Sequence, residues 1–231
     1  MKVDWKIGRR NSAPLLGAAI AIGLFAPHAE AFSNLVVNGS FDDARGDLYA
    51  WKYKYDPAED KNVGWYTNNH VNVSVVDQEG AQRKVLSLWG DYAILQAPGQ
   101  GTKVDGDPIP VKPGGKYRFS ALARSTGPDS RIMVEGYKWV PGIKPHDAPK
   151  LNELRRCYRS NQLYYGPVQA GYFGGVGRQW ARAKVMVPEK VNGKPKAELP
   201  EEVRFLVVHI VAIGGSEGNL YVDEVKVEKI E

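Results

Sequence analysis

Residues 34–43 read NLVVNGSFDD. An apolar run, Leu35-Val36-Val37, stops at Asn38-Gly39, and the chain restarts with Phe41 between Ser40 and two acids. Asn-Gly tolerates the left-handed backbone that tight turns demand, so this stretch reads as a first strand and its turn. Working outward from it, the preceding residues 1–31 have the layout of an export signal. Lys2, Lys6, Arg9 and Arg10 lead into an apolar segment, Ala13 to Phe25, and Ala29-Glu30-Ala31 offers small residues at both positions a signal peptidase inspects. That segment is shorter than the roughly 20 residues a membrane-spanning helix needs, and Pro14 interrupts its start. A cleaved secretory signal is therefore expected over 1–31, with a single domain over 32–231 and no membrane span in the mature chain; the working location is periplasmic, extracellular or at the cell surface.

Removing 1–31 leaves 27 basic and 24 acidic residues, a net charge of +3. The basic residues are spread out apart from Arg155, Arg156 and Arg159, so no nucleic-acid partner is indicated. About 200 residues can bury one sizeable core. With Cys157 the only cysteine, no internal disulfide is available, and packing or a bound ion must supply stability. Cys157 itself reads as an apolar filler rather than a nucleophile, since no His lies near it in sequence.

Strand signals dominate the rest. HVNVSVV (70–76) places Val71, Val73 and Val75 on one face; KVLSLWG (84–90), YAILQA (92–97) and RIMVEGYKWV (131–140) follow the same logic. After the Pro113-Gly114-Gly115 turn, Tyr117, Phe119, Ala121 and Ala123 share one face. WARAKVMVP (180–188), VRFLVVHIVAI (203–213) and NLYVDEVKVEKI (219–230) close the chain, and 203–213 is so apolar that a position in the middle of a sheet is expected, with His209 as a hydrogen-bonded interior residue. Only KLNELRRCYRS (150–160) shows a helical period, through Leu151, Leu154 and Tyr158. Many short strands without strand–helix alternation point to an all-β antiparallel sandwich or jelly roll, interrupted by one long excursion, 141–178, that could carry a short helix.

The order of three pieces, NLVVNGSFD at the start, PGGKYRFSALARSTG in the middle and QWARAKVMVP with NLYVDEVKVEKI at the end, resembles carbohydrate-binding modules of the family 4, 9 and 22 type, which share the galactose-binding-domain-like jelly roll. The resemblance implies two packed antiparallel sheets, Trp180 as a structural core residue, and a structural calcium matched to Ser40, Asp42, Lys116 and Asp223. Asp42 stands where the family carries Glu. Independently of the family, Asp223 shares strand parity with Val225 and Val227, which would aim a carboxylate at the core; calcium or backbone amides of the N-terminal turn would satisfy it.

Sugar recognition needs flat rings flanked by groups that hydrogen-bond hydroxyls. Opposite Ile132 and Val134 the strand 131–140 carries Glu135, Tyr137 and Trp139, and on the family's strands Trp89 and Tyr92 join them, with Trp65 and Glu135 as secondary candidates. The excursion 141–178 could instead cover these rings, or present Arg155, Arg156, Tyr158 and Arg159 to another exported protein, Arg and Tyr being enriched at interface hot spots. Two functions thus stand side by side: a secreted non-catalytic protein holding a polysaccharide or other glycan, and an interaction subunit of an exported or cell-surface assembly. No nucleophile motif, metal-ligand spacing or assignable carboxylate pair supports an enzyme.

Overall fold

The computed structural model describes residues 33–52, 65–66, 70–90, 101–166, 178–188, 190–191, 194–195 and 199–230. In it the opening stretch joins the end of the chain. Asn34 forms an isolated antiparallel bridge with Glu228, its Nδ2 donates to the Val225 carbonyl at 3.0 Å and its Oδ1 accepts the Val227 amide at 3.0 Å. Asn38 adopts a left-handed φ of 51°, accepts the Asp43 amide, and donates to the carbonyls of Asp47 and Tyr49. Gly39 is required by a close approach: a Cβ there would sit 2.1 Å from the Val225 carbonyl oxygen. The turn then drops Phe41 fully into the core, 5.2 Å from the Trp51 ring, a burial worth about 2–3 kcal/mol.

Two sheets enclose that core. The larger contains β1 (Trp51–Lys52), β2 (Trp65–Tyr66), β5 (Gly101–Gly106), β6 (Ile109–Pro110), β8 (Pro128–Trp139), β9 (Leu154–Gly166) and β13 (Phe205–Gly215), with the path β1-β5-β13-β8-β9. The smaller runs β10-β7-β14-β4-β3, where β3 is Val71–Gln78, β4 Ala81–Gly90, β7 Tyr117–Ser125, β10 Ala181–Val187 and β14 Gly218–Lys229. A separate hairpin pairs β11 (Lys190–Val191) with β12 (Lys194–Pro195). Pairing within the two sheets is antiparallel except for β2 on β5. The expected all-β sandwich is therefore present, and β13 lies between β5 and β8 as its apolar sequence requires. The strand expected over 92–97 lies outside the described residues, as does the segment 1–31.

Alternation sorts the faces. Ile132 and Val134 of β8, Leu206, Val208 and Ile210 of β13, and Val104 of β5 meet Tyr117, Phe119, Ala121 and Ala123 of β7 and Leu220 and Val222 of β14 in the core. Three expectations change. Residues 150–160 form no α-helix: a single 3-10 turn at Leu151–Glu153 leads into β9, which pairs along β8 through three register shifts. Those bulges break the period-2 pattern and leave Leu151, Leu154 and Tyr158 mimicking a helical one. Asp223 does not face the core either, because a bulge at Glu224, φ 46°, resets the parity, so that Asp223 follows Tyr221 on the outer face while Val225 and Val227 point inward. Trp180, half-buried, lies outside the main core; its indole N–H donates to the Asp77 carbonyl at 3.2 Å.

Candidate functional site

The face of the larger sheet turned away from the core is unusual in what it buries. The β8–β13 register sets Glu135 against Val207, Tyr137 against Phe205 and Met133 against His209, and β5 brings Asp105 opposite His209. The result is a hydrogen-bonded chain across four strands. Asp105 Oδ1 lies 2.5 Å from His209 Nδ1 and its Oδ2 2.9 Å from Lys103 Nζ. His209 Nε2 lies 3.1 Å from the Tyr137 hydroxyl, which lies 3.2 Å from Glu135 Oε2. Arg156 of β9 closes the chain, donating from one Nη to both Glu135 oxygens at 3.1 and 3.2 Å.

Burial would push the Asp105 carboxyl up, but the charges on His209 and Lys103 outweigh it and hold the group at about 2. Asp105 is thus ionised, and His209 Nδ1 must carry the proton that binds it. The Tyr137 hydroxyl, held protonated far above its usual range by burial and by Glu135 and Asp105, then has one proton for two acceptors. It donates to His209 Nε2 when the imidazole is neutral and to Glu135 when Nε2 is itself protonated. Such a chain fixes side-chain orientation at a substantial desolvation cost, and that cost is offset only while each member keeps its partner.

Aromatic groups flank the chain. Trp139 is half-buried, edge-on to Phe205 at 5.3 Å and tilted 54° from His146 of the excursion. Phe205, Val207, Tyr137 and Leu154 form a small apolar cluster below it. Arg156 keeps half of its side chain exposed. Of the predicted ligand residues, Glu135, Tyr137 and Trp139 therefore share one face, and Trp65 belongs to the same sheet through β2, its side chain outside the described residues. Trp89 does not join them, because β4 belongs to the other sheet, where Trp89 pairs with Asn219. Tyr92 lies outside the described residues.

The predicted docking set divides similarly. Arg155 and Arg156 are exposed, but Tyr158 is packed into the main core opposite Gly136 and presents no docking surface. The side chain of Arg159 lies outside the described residues. Cys157 is half-buried, its thiol 3.6 Å from the Gly136 carbonyl, and burial pushes its pKa up, which disfavours a reactive thiolate.

The predicted calcium ligands are partly assembled. Ser40, Asp42 and Asp223 line a cavity of about 620 Å³ between the N-terminal turn, the start of β4 and the bulge of β14. Ser40 donates to Asp42 at 2.6 Å, Asp223 accepts the Glu224 amide, and burial raises the Asp223 pKa, with Asp42 adding to the rise. Lys116 does not line the cavity, and its carbonyl accepts the Ile230 amide at 2.9 Å. Two carboxylates and a hydroxyl fit a hard cation in kind but fall short in number of the six to eight oxygens calcium takes. Among the described residues no group of three or more His, Cys, Asp or Glu side chains is placed to hold a metal.

Sequence reasoning missed Asp105, Lys103 and His209 as site members. A single ionisable residue inside the apolar strand 203–213 was the one signal, and its partner lies 104 positions away. No helix among the described residues is long and apolar enough to cross a membrane.

No family model matches the chain, and no curated protein matches it. The solved structures to which it is similar are mainly carbohydrate-binding modules of families 4, 22 and 61. The CBM22-1 xylan-binding domain of Paenibacillus barcinonensis Xyn10C is 14% identical, with 88% of this chain and 98% of that one covered and a TM-score of 0.46. A family 4 module is 16% identical, with 84% and 99% covered and a TM-score of 0.42. The enzymatically active domain of tailspike protein 4 from bacteriophage CBA120 is 11% identical, with 85% of this chain but only 21% of that chain covered and a TM-score of 0.47. Likenesses this distant carry no ligand across, and the sandwich stands on its own strand pairing.

Proposed function

We propose that this is an exported, non-catalytic glycan-binding protein and that its ligand lies on the outer face of the larger sheet, across Trp139, Arg156 and Glu135. One observation carries the reading: outside the main core, the outer face of the larger sheet gathers three aromatic rings, Tyr137, Trp139 and Phe205, beside a continuous chain of charged groups, with Trp139 and Arg156 left partly exposed at its edge. A half-exposed indole offers the flat apolar surface on which a pyranose stacks, and a held guanidinium and carboxylate offer donor and acceptor to its hydroxyls. The buried chain behind them contributes rigidity, fixing Glu135 before any ligand arrives.

Export through residues 1–31 belongs to the same proposal, as does a structural calcium on Ser40, Asp42 and Asp223, completed by carbonyls and water. If that ion binds, millimolar calcium raises the melting temperature of the EDTA-treated protein; an unchanged midpoint removes it. Glycan binding at this face is tested by affinity gels over a panel of soluble neutral polysaccharides. At least one is expected to retard the wild type, with a tenfold or greater loss in Trp139→Ala and no change in Trp89→Ala. Retardation by none of them, or retardation indifferent to Trp139, rejects the site.

A further inference from the structure

The outer face of the smaller sheet carries a second arrangement, independent of the Trp139 face. The β7–β14 register sets Arg124 against Tyr221, and Trp180 stands immediately before Ala181, which pairs with Ala123. The Arg124 guanidinium lies 5.2 Å from the Trp180 ring and 5.0 Å from the Tyr221 ring, with the two rings 6.5 Å apart. The indole is fixed by its bond to the Asp77 carbonyl. What the guanidinium lacks is an acceptor: its buried Nε has no hydrogen-bond partner, and no carboxylate pairs with it among the described residues. Its neighbours on this face are arranged differently. Arg118 is paired with Glu228 at 2.8 Å and Arg182 with Glu224 at 2.6 Å. Lys184, exposed two positions beyond Arg182 and set against Ser120, also has no carboxylate partner among the described residues.

An arginine packed against two rings but given no anion is oriented without being neutralised, and its planar fork matches a carboxylate. We infer that the outer face of the smaller sheet binds an acidic polysaccharide, with Arg124, clamped by Trp180 and Tyr221, receiving a uronate carboxylate and Lys184 receiving a second one further along the chain. Arg124 and Ser120 are four residues apart on β7, so the two cations stand about 13 Å apart along the strand, a span that selects an extended chain with repeated carboxylates over a single small anion. Trp180 and Tyr221 supply ring edges and partial faces for the sugar that bears the first carboxylate.

The test uses the full chain and two probes of matched backbone, polygalacturonate and its highly methyl-esterified counterpart, in affinity electrophoresis and calorimetry. Wild type is expected to bind polygalacturonate and to bind the ester at least tenfold more weakly, with affinity falling as salt rises. Arg124→Gln is expected to cost tenfold or more, Lys184→Gln about threefold, and Trp139→Ala nothing. Lys184 is exposed, so its variant keeps the test readable if Arg124→Gln compromises folding. Equal binding of both probes, no binding of polygalacturonate, or full binding by Lys184→Gln together with Arg124→Lys overturns the inference. Loss of polygalacturonate binding in Trp139→Ala alone would assign the acidic ligand to the other sheet and overturn it equally.

Discussion

Replacing Asp105 by Asn keeps the shape of a side chain that is 4% exposed and removes the charge at the centre of the buried chain. The carboxyl is held at about 2, against an ordinary 3.8, by His209 and Lys103 in opposition to burial. That lowering converts to about 2 kcal/mol of folding stability at neutral pH. Lys103 and His209 would in addition lose their carboxylate within the fold, which moves the cost toward the 3–5 kcal/mol typical of a broken buried pair. The pH dependence has a definite sign. A carboxyl whose pKa falls on folding stabilises fully above its unfolded value, near pH 4, and loses that contribution as pH drops toward 2. Urea unfolding of wild type and Asp105→Asn at pH 7, 4 and 2.5 is the assay. The variant should be about 2 kcal/mol or more less stable at pH 7, with a thermal midpoint, read in a parallel melt, roughly 4–8 °C lower for a domain of this size, and the gap should narrow by more than about 1 kcal/mol by pH 2.5. A difference under about 0.5 kcal/mol at pH 7, or a gap that stays constant down to pH 2.5, would refute the claim that this chain is ionised and mutually satisfied.

Other consequences are local. Asn34→Ala removes three hydrogen bonds, to Val225, Val227 and Val36, and should cost about 2–3 kcal/mol in chemical denaturation, with hydrogen exchange at Val227 accelerating first. Gly136→Ala places a Cβ 2.7 Å from that of Tyr158 and should lower stability by about 1–3 kcal/mol through overpacking, whereas Gly142→Ala meets no atom within 4 Å and should cost only the strain of its left-handed φ of 90°. Tyr137→Phe empties the middle of the buried chain and should destabilise by about 1–3 kcal/mol without changing the strand content seen by circular dichroism.

The sandwich was legible because most of its strands alternate cleanly. Tyr117, Phe119, Ala121 and Ala123 face the core together, Val71 and Val73 join them, and 203–213 occupies the sheet centre its composition requires. Alternation fails where a bulge inserts a residue. The irregular register of β9 hid a strand behind a helical spacing, and the left-handed Glu224 turned Asp223 outward against its apparent parity. Trp180 illustrates a different limit, since an aromatic residue before a strand carries no mark of which face it will cover. Within the candidate site, Glu135, Tyr137 and Trp139 were readable as neighbours because they lie on one strand. Asp105 and His209 were not, since only the register of β5 on β13 brings them together.

The central claim is that a glycan lies on the outer face of the larger sheet. An amide and indole NMR titration of the isotope-labelled full chain with oligosaccharides of a retained neutral polysaccharide tests it directly. The Trp139 indole and the amides of Glu135, Tyr137 and Arg156 are predicted to shift together and saturate at one affinity, while the Trp89 indole stays in place. Shifts confined to the smaller sheet or to Asn34–Asp43, with Trp139 unmoved, would contradict the account.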